Sequence, residues 1–276
     1  MSLDVQKNMV ETDDVTVVVA TRNRADRLRE TMPRHRARTI LVDNASDQPL
    51  PDLPGVDVVR LGDNLGAAAR NIGVERARTP YVAFADDDSY WTPGSLARAA
   101  EIMDAHPRAA VLAARVLVGE DRRLDPVSAA MAEGVLGQNK TGPAVLGFLA
   151  CSIIVRREAF LTVGGFEPRL FVYGEEALLA MDLAAAGYEL SYADELVVRH
   201  LPQPAGRDNG ARARRETRNR VLTALLRRPP RVVAGTLRQA VRQSPRGVTD
   251  ALRDLPWALS RRRPLPPEVE AALRKL

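Results

Sequence analysis

Four short apolar runs, each opening into polar residues suited to a ligand, restrict the folds open to this chain more than any other feature. Val15-Thr16-Val17-Val18-Val19-Ala20 runs into Thr21-Arg22-Asn23-Arg24, and Thr39-Ile40-Leu41-Val42 into Asp43-Asn44. Val56-Asp57-Val58-Val59-Arg60 leads to Gly62-Asp63-Asn64-Leu65-Gly66, and Tyr81-Val82-Ala83-Phe84-Ala85 ends in Asp86-Asp87-Asp88. Runs of this length, rich in β-branched and aromatic residues, read as buried strands. Helical patterns lie around them, over Ala25 to Met32, Ala67 to Arg78, and from a Thr92 cap with Pro93 at the first position to about Ala105. The alternation predicts an α/β fold, with a Rossmann-like, mostly parallel central sheet covered by helices on both faces. Open α/β sheets bind ligands outside the carboxyl ends of their strands, so four polar ends on one edge describe a pocket.

The fourth end is the most demanding. Two ionised carboxylates ~4 Å apart repel by roughly 4 kcal/mol at an effective dielectric near 20. Such a triplet stays wet, takes up a proton or holds a cation. Alone it reads as a solvated turn; after a buried strand, beside three other polar ends, it reads as part of a site.

Beyond it, Ala109 to Val118 is a strand, and residues 119–143 read as a long functional or mobile loop. A strand over Ser152 to Val155, a helix over Arg157 to Val163 and a turn at Gly164-Gly165 follow. A helix from Glu175 to Ala186 stops at Gly187, and Leu196 to His200 is a last short strand. Residues 1–204 thus divide into a half over about 15–105 and a second half over about 106–204.

Composition changes at Ala205. Residues 205–276 hold 17 Arg and one Lys against six acids, whereas residues 1–204 hold 22 basic and 29 acidic residues. This basic α-helical extension is expected to comprise Arg212 to Arg228, a break at Pro229-Pro230, a helix to about Arg242, a short helix over Gly247 to Leu259, and loops at Pro264, Pro266 and Pro267. Its only aromatic is Trp257, so the interleaving that stacks nucleic-acid bases is missing and nucleic acid is disfavoured. Attraction to an anionic membrane surface and self-association both remain open. A single cysteine, Cys151, excludes an intrachain disulfide and reads as a small buried hydrophobe. With no stretch resembling a signal peptide or membrane span, the expected location is cytoplasmic, with peripheral attachment to the inner membrane face as an extension of that.

Further motifs complete a pattern: Asn64-Leu65-Gly66-Ala67-Ala68-Ala69-Arg70-Asn71-Ile72-Gly73, Gly164-Gly165-Phe166-Glu167, Tyr173-Gly174-Glu175-Glu176, Ala186-Gly187-Tyr188 and Val198-Arg199-His200. In this order, over about residues 15–200, the chain resembles the family-2 inverting glycosyltransferases of the GT-A fold. The likeness extends more weakly to Arg218-Asn219-Arg220, and the Arg-rich helix resembles that of rhamnosyltransferases. The resemblance implies transfer of a sugar from a nucleoside diphosphate to an acceptor hydroxyl, with Mn²⁺ or Mg²⁺ as cofactor. By carry-over Asp86 to Asp88 looks like the family's DxD motif. Asp86 and Asp88 would meet the metal, Asp86 and Asp87 also the nucleotide, and His200 would be a distant third metal ligand. Ala20, Thr21 and Arg22 would wall the base. Asp43 would accept the pyrimidine imide N–H, which favours a UDP- or dTDP-sugar. Asn64, Gly66, Arg70 and Asn71 would line the nucleotide. Glu176 falls on the family's general base, usually an Asp, and the Glu175-Glu176 pair leaves open which one acts. The acid often found two residues beyond the base is Leu178. Trp91 and Tyr173 are candidate sugar or acceptor contacts, although Trp91 is equally suited to packing. The acceptor stays open, between a lipid-linked glycan and a small molecule. Two rival functions remain: a sugar nucleotidyltransferase, against which the absence of a glycine-rich loop after Ala20 counts, and a catalytically lapsed sugar-nucleotide-binding module.

Overall fold

The structure, a computed structural model, describes residues 10–202 and 208–276. Its strands are β1 (Val15–Thr21), β2 (Arg38–Asp43), β3 (Val56–Arg60), β4 (Tyr81–Asp86), β5 (Ser89–Trp91), β6 (Ala109–Val118), β7 (Arg123–Leu124), β8 (Gln138–Asn139), β9 (Gly142–Pro143), β10 (Ile153–Arg156) and β11 (Glu189–His200). Nine of these form one sheet in the order β3-β2-β1-β4-β10-β6-β11-β5, with β7 beside β6, while β8 and β9 pair separately. The β3-β2-β1-β4 half is wholly parallel. In the other half β10 runs antiparallel to both β4 and β6, β11 is parallel to β6, and β5 is antiparallel to β11.

Strand alternation splits the core into two layers. Val18, Ile40, Val42, Val82 and Phe84 face one layer, and Val17, Val19, Leu41, Tyr81, Ala83 and Ala85 face the other. The helices Ala69–Arg76, Arg157–Val163 and Glu175–Ala185 cover the first face through Val74, Phe160 and Leu179. The helices Ala25–Thr31 and Ser95–Ala105 cover the second through Leu28, Leu96, Ala99 and Met103. Helices therefore lie on both faces, as the strand pattern predicts.

Several boundaries differ from expectation. Thr92 does not cap its helix: Thr92-Pro93-Gly94 forms a turn, and the helix begins at Ser95 after a left-handed Gly94. Its first amides are served from far away, the Glu11 carboxylate accepting from Gly94 N (2.7 Å) and Leu96 N (3.0 Å). The helix expected over Ala67 to Arg78 is a 3₁₀ turn at Gly66–Ala68 followed by Ala69–Arg76. Residues 119–143 are not one loop, because Asp125 accepts from Val127 N at 2.8 Å and caps a helix over Pro126–Ala132. The last strand is longer than its apolar end suggests. A bulge between Ala193 and Val197 turns Asp194 and Glu195 to solvent, which interrupts the apolar period.

The extension forms helices over Asn209–Arg227, Pro230–Gln243, Pro245–Arg253, Leu255–Ser260 and Pro267–Leu273. The helix expected over Gly247 to Leu259 is therefore two, divided at Asp254, and Pro267 opens a helix rather than marking a loop. The expected boundary at 204/205 lies outside the described residues. Val221, Leu222, Leu225 and Leu226 share a core with Leu170 and Leu178 of the preceding half. Arg227 also pairs with Asp182 across that junction, and Arg228 pairs with Glu270. Part of the tail's charge is consumed internally.

Candidate active site

Register alone assembles the first half of the site. In the parallel ladder Thr21 stands opposite Asp43, Asp43 opposite Arg60, and Ala20 opposite Asp86, so one edge carries all four polar ends. Thr21 Oγ1 donates to Asp87 Oδ2 at 2.9 Å. Burial pushes the Asp87 carboxyl up to about 6; the Thr21 hydrogen bond opposes the shift and the Asp86 charge adds to it. Asp43 is fully buried. Its Oδ1 accepts from Ser46 N at 3.0 Å, closing the turn after the strand. Its Oδ2 lies 3.2 Å from Arg60 Nε as an ion pair but accepts no aligned hydrogen bond from the described residues. This is a buried acceptor with capacity for one more donor. Arg22 Nε donates to Ala45 O, framing the same turn.

Asn44, absent from the expected set, does more than its neighbours. It accepts from Leu65 N at 2.7 Å and donates to Gly66 O at 3.0 Å, tying the second strand end to the third. Asn64 accepts from Gly66 N at 2.9 Å, so its carboxamide oxygen is used within its own turn. Gly66 has φ +61°, and a Cβ there would stand 2.2 Å from Phe171 O. Only glycine fits. Asn71 clamps Phe166 with both ends of its carboxamide, at 2.8 and 3.0 Å, so it braces the Gly164-Gly165-Phe166 turn instead of presenting a free polar group to a ligand.

The triplet divides its labour. Asp86 Oδ1 takes a hydrogen bond and ion pair from Arg70. Asp88 Oδ1 stands 3.3 Å from His200 Nε2, and its Oδ2 stands 3.7 Å from Arg24. Strand pairing of Ser89 with His200 brings residues more than a hundred positions apart to this contact. Burial pushes the Asp88 carboxyl up, but the His200 hydrogen bond and the charges of His200, Arg24 and Arg27 outweigh it and hold it below its usual value. The Asp88 hydrogen bond in turn raises the His200 imidazole.

Among the described residues no three His, Cys, Asp or Glu side chains form a ready metal cage. Of the expected trio, Asp88 and His200 lie together, while Asp86 Oδ1 is paired with Arg70. The pair still fits a divalent cation. Octahedral ligands at about 2.0–2.1 Å stand about 3 Å apart, which matches the Asp88–His200 spacing, and Mg²⁺-type sites with few protein ligands are completed by substrate phosphates.

The helix Glu175–Ala185 supplies the other wall. Glu175 is buried, and its Oε2 has no hydrogen-bond partner among the described residues. Burial and the adjacent Glu176 push the Glu175 carboxyl up to about 8. Glu176 is half-buried and also raised, chiefly by burial, with Arg70 opposing. Burial works against the Arg70 cation too, but Asp86, Glu175 and Glu176 together hold it charged. Arg70 is thus the electrostatic link between the two walls.

The loop before this helix carries backbone strain and is pinned by a distant side chain. Phe171 and Tyr173 adopt left-handed φ values of 64° and 76°, costing of order 1–3 kcal/mol each. Asn219, fully buried on the helix Asn209–Arg227, donates to Leu170 O (2.7 Å), Val172 O (3.0 Å) and Tyr173 O (2.8 Å). Phe171 O accepts from Ala67 N at 2.6 Å. Tyr173 has Arg212 over its ring at 5.0 Å. Trp91 does not reach the pocket: it is buried, and its indole N–H donates to Phe84 O at 3.0 Å, so its expected sugar contact is replaced by a packing role. Cys151 is buried and its thiol pushed well up by that burial.

The family model described as "Glycosyl transferase family 2" matches residues 16–164, which take in the four polar strand ends and reach Gly164. The chain belongs to glycosyl transferase family 2. A curated relative, the pre-mycofactocin glycosyltransferase of Mycobacterium tuberculosis strain H37Rv, is 32% identical over 204 residues. That match covers 68% of this family-2 chain but only 42% of the relative, so the chain spans less than half of the relative's length in the match. Among solved structures, GalNAc-T7 with UDP, GalNAc and Mn²⁺ superposes with a TM-score of 0.64 at 15% identity, covering 91% of this chain and 56% of that one. The mannosyltransferase PcManGT from Pyrobaculum calidifontis, with GDP-Man and Mn²⁺, gives 0.57 at 22% identity, covering 98% and 80%. S. aureus TarS 1-349 with UDP-GlcNAc gives 0.58 at 17%, covering 94% and 83%. The fold is GT-A, and no helix of the described residues is long and apolar enough to cross a membrane.

Proposed function

We propose that this family-2 chain catalyses a divalent-metal-dependent, inverting transfer of a sugar from a UDP- or dTDP-sugar to an acceptor hydroxyl. One observation carries it: Arg70 pairs with Asp86, on the edge that also bears Asp43, and lies within the field of the Glu175-Glu176 pair. A donor bound on that edge would thereby lie near a candidate base. Asp43 Oδ2, buried with spare accepting capacity, suits the imide N–H of uracil or thymine. Asp86 and Asp87, with Thr21, face the ribose and phosphates. Asp88 and His200 would hold Mn²⁺ or Mg²⁺, whose contribution is to neutralise charge on the departing diphosphate.

Glu176 is assigned as the base. Glu175, buried beside a second acid and raised to about 8, is taken as the member that holds a proton, and Glu176 as the one that acts as carboxylate. Its raised affinity for protons suits it to take the acceptor hydroxyl proton as that oxygen attacks the anomeric carbon opposite the leaving group. The related structures bind UDP, UDP-GlcNAc or GDP-Man, two of them with Mn²⁺, and sequence likeness to them is low. Nucleoside diphosphate release from a panel of sugar nucleotides, with and without Mn²⁺, is the direct test. Loss of release in Asp88→Ala and a roughly 10²–10⁴-fold drop in Glu176→Gln are expected. Full activity in EDTA, or full activity of Glu176→Gln with a working acceptor, refutes the assignment.

The extension is proposed to meet an anionic membrane surface through the helix Pro230–Gln243, where Arg231, Arg238, Arg242 and Val241 are exposed. Retention on anionic liposomes that fades as salt rises supports it, and no retention at low salt ends it.

A further inference from the structure

Between the loop at Arg169–Phe171 and the extension helices lies a cleft of about 1240 Å³. Six arginines line it against three aspartates, and tracing each charge to its partner shows which ones are spent. Asp250 pairs with Arg214 and Arg253, and Asp254 pairs with Arg218 and Arg169. Asp208 is used on the backbone, accepting from Gly210 N and Ala211 N as the cap of the helix Asn209–Arg227. Arg215 and Arg246 are left, both exposed, with no ion-pair partner among the described residues. Arg215 is also aimed: its guanidinium lies over the Phe171 ring, 4.8 Å from the centroid. Stacking of that kind fixes the plane of the guanidinium and leaves its N–H fork free for a carboxylate or phosphate. Phe171 is the same strained residue that touches the Gly66 turn and stands four positions before Glu175.

We propose that this cleft is an anion subsite for the acceptor. The acceptor then carries a phosphate or carboxylate, held by Arg215 and Arg246, while its hydroxyl reaches Glu176 on the adjoining helix. The assignment rests on the glycosyltransferase reading for the word acceptor, but anion binding in the cleft stands apart from it. A neutral sugar or alcohol gains nothing from two unpaired arginines, whereas an anion receives charge-assisted hydrogen bonds from both.

The test is calorimetric, with UDP and Mn²⁺ saturating the donor site. Hexyl phosphate, hexanoate and hexanol are titrated into the full chain, and the two anions are expected to bind while hexanol does not. The Arg215→Ala/Arg246→Ala variant weakens hexyl phosphate at least tenfold. Arg36→Ala/Arg78→Ala, which removes the same charge from exposed positions outside the cleft, leaves it unchanged. Unaltered binding in the first variant, or an equal loss in both, overturns the subsite. Both arginines in each variant are exposed, so folding is not at issue. Phosphatidylglycerol vesicles separate the sources. Retention that needs Arg215 and Arg246 makes the anion a lipid headgroup, and retention indifferent to them, with hexyl phosphate binding still dependent, makes it a soluble acceptor. Failure of the wild-type chain to release nucleoside diphosphate from any sugar nucleotide sinks the glycosyltransferase reading and leaves the titration to be judged alone.

Discussion

Replacing Asn219 by Ala removes one carboxamide that serves three carbonyls of the loop before the Glu175-Glu176 pair. Leu170 is fully buried, but its oxygen also accepts from Val172 N at 2.8 Å, so losing the Asn219 donor costs about 1 kcal/mol there. Val172 and Tyr173 are only half-buried, so water can replace the lost donor there and the two together cost about 1 kcal/mol. The sum, about 2 kcal/mol, lowers the melting temperature by roughly 4–8 °C at ~2–4 °C per kcal/mol for a chain of this size. Activity should fall further than stability suggests. Phe171 and Tyr173 hold left-handed backbone only while the loop is pinned, and a base displaced by about 1 Å can lose ~10²-fold in rate. Thermal unfolding and donor turnover, measured on the same preparation, separate the two effects. Asn219→Asp should be worse than Ala, since it sets a carboxylate against three carbonyl oxygens. A melting temperature within 1–2 °C of wild type (less than ~1 kcal/mol) together with unchanged turnover would refute the clamp.

Gly66→Ala is expected to abolish nucleotide binding at modest cost to global stability, because the added Cβ collides with Phe171 O and must part the two loops; normal UDP affinity by titration contradicts this. Glu175→Gln mimics the protonated acid and should keep turnover near wild type at pH 7, in contrast to Glu176→Gln. The native Glu175 also keeps a proton that the unfolded chain releases above about 4.5, so stability declines as pH climbs from there towards 8; the Gln variant should flatten that decline, and an unchanged pH–stability profile tells against a buried neutral acid. His35 works in the opposite direction: burial lowers its imidazole from 6.5 to about 4, and neither ring nitrogen has a hydrogen-bond partner among the described residues. The unfolded chain therefore takes up a proton that the native state refuses, so stability is complete above 6.5 and falls by up to about 3 kcal/mol as pH drops to 4. His35→Leu should remove that part of the acid sensitivity, and equal acid midpoints for variant and wild type would exclude it.

The edge of the sheet was legible in the sequence because parallel strands of similar length, each ending in a polar cluster, bring those clusters together by register. Thr21, Asp43 and Asp86 needed no knowledge beyond the period of the apolar runs. What stayed hidden rests on partners far along the chain. Glu11 caps a helix 83 and 85 residues away, and Asn219 holds carbonyls 46 to 49 residues before it. No local pattern marks either one, since a glutamate in an acidic terminus and an asparagine in an arginine-rich helix look solvated. The same blindness explains the site residues that changed role. Asn71 has the chemistry of a ligand contact, but the Phe166 backbone already takes both ends of its carboxamide, and Asn64 gives its oxygen to Gly66 N. Trp91 has the right neighbours in sequence, yet its N–H is taken by Phe84 O. Asp43 Oδ2 and Glu175 Oε2 differ in one respect: both are buried with no hydrogen bond from the described residues. A buried carboxylate oxygen left without a donor is costly unless something else supplies one. Asp43 Oδ2 on the sheet edge and Glu175 Oε2 on the helix that carries the proposed base are accordingly the places where a bound nucleotide and an incoming acceptor would relieve the protein most.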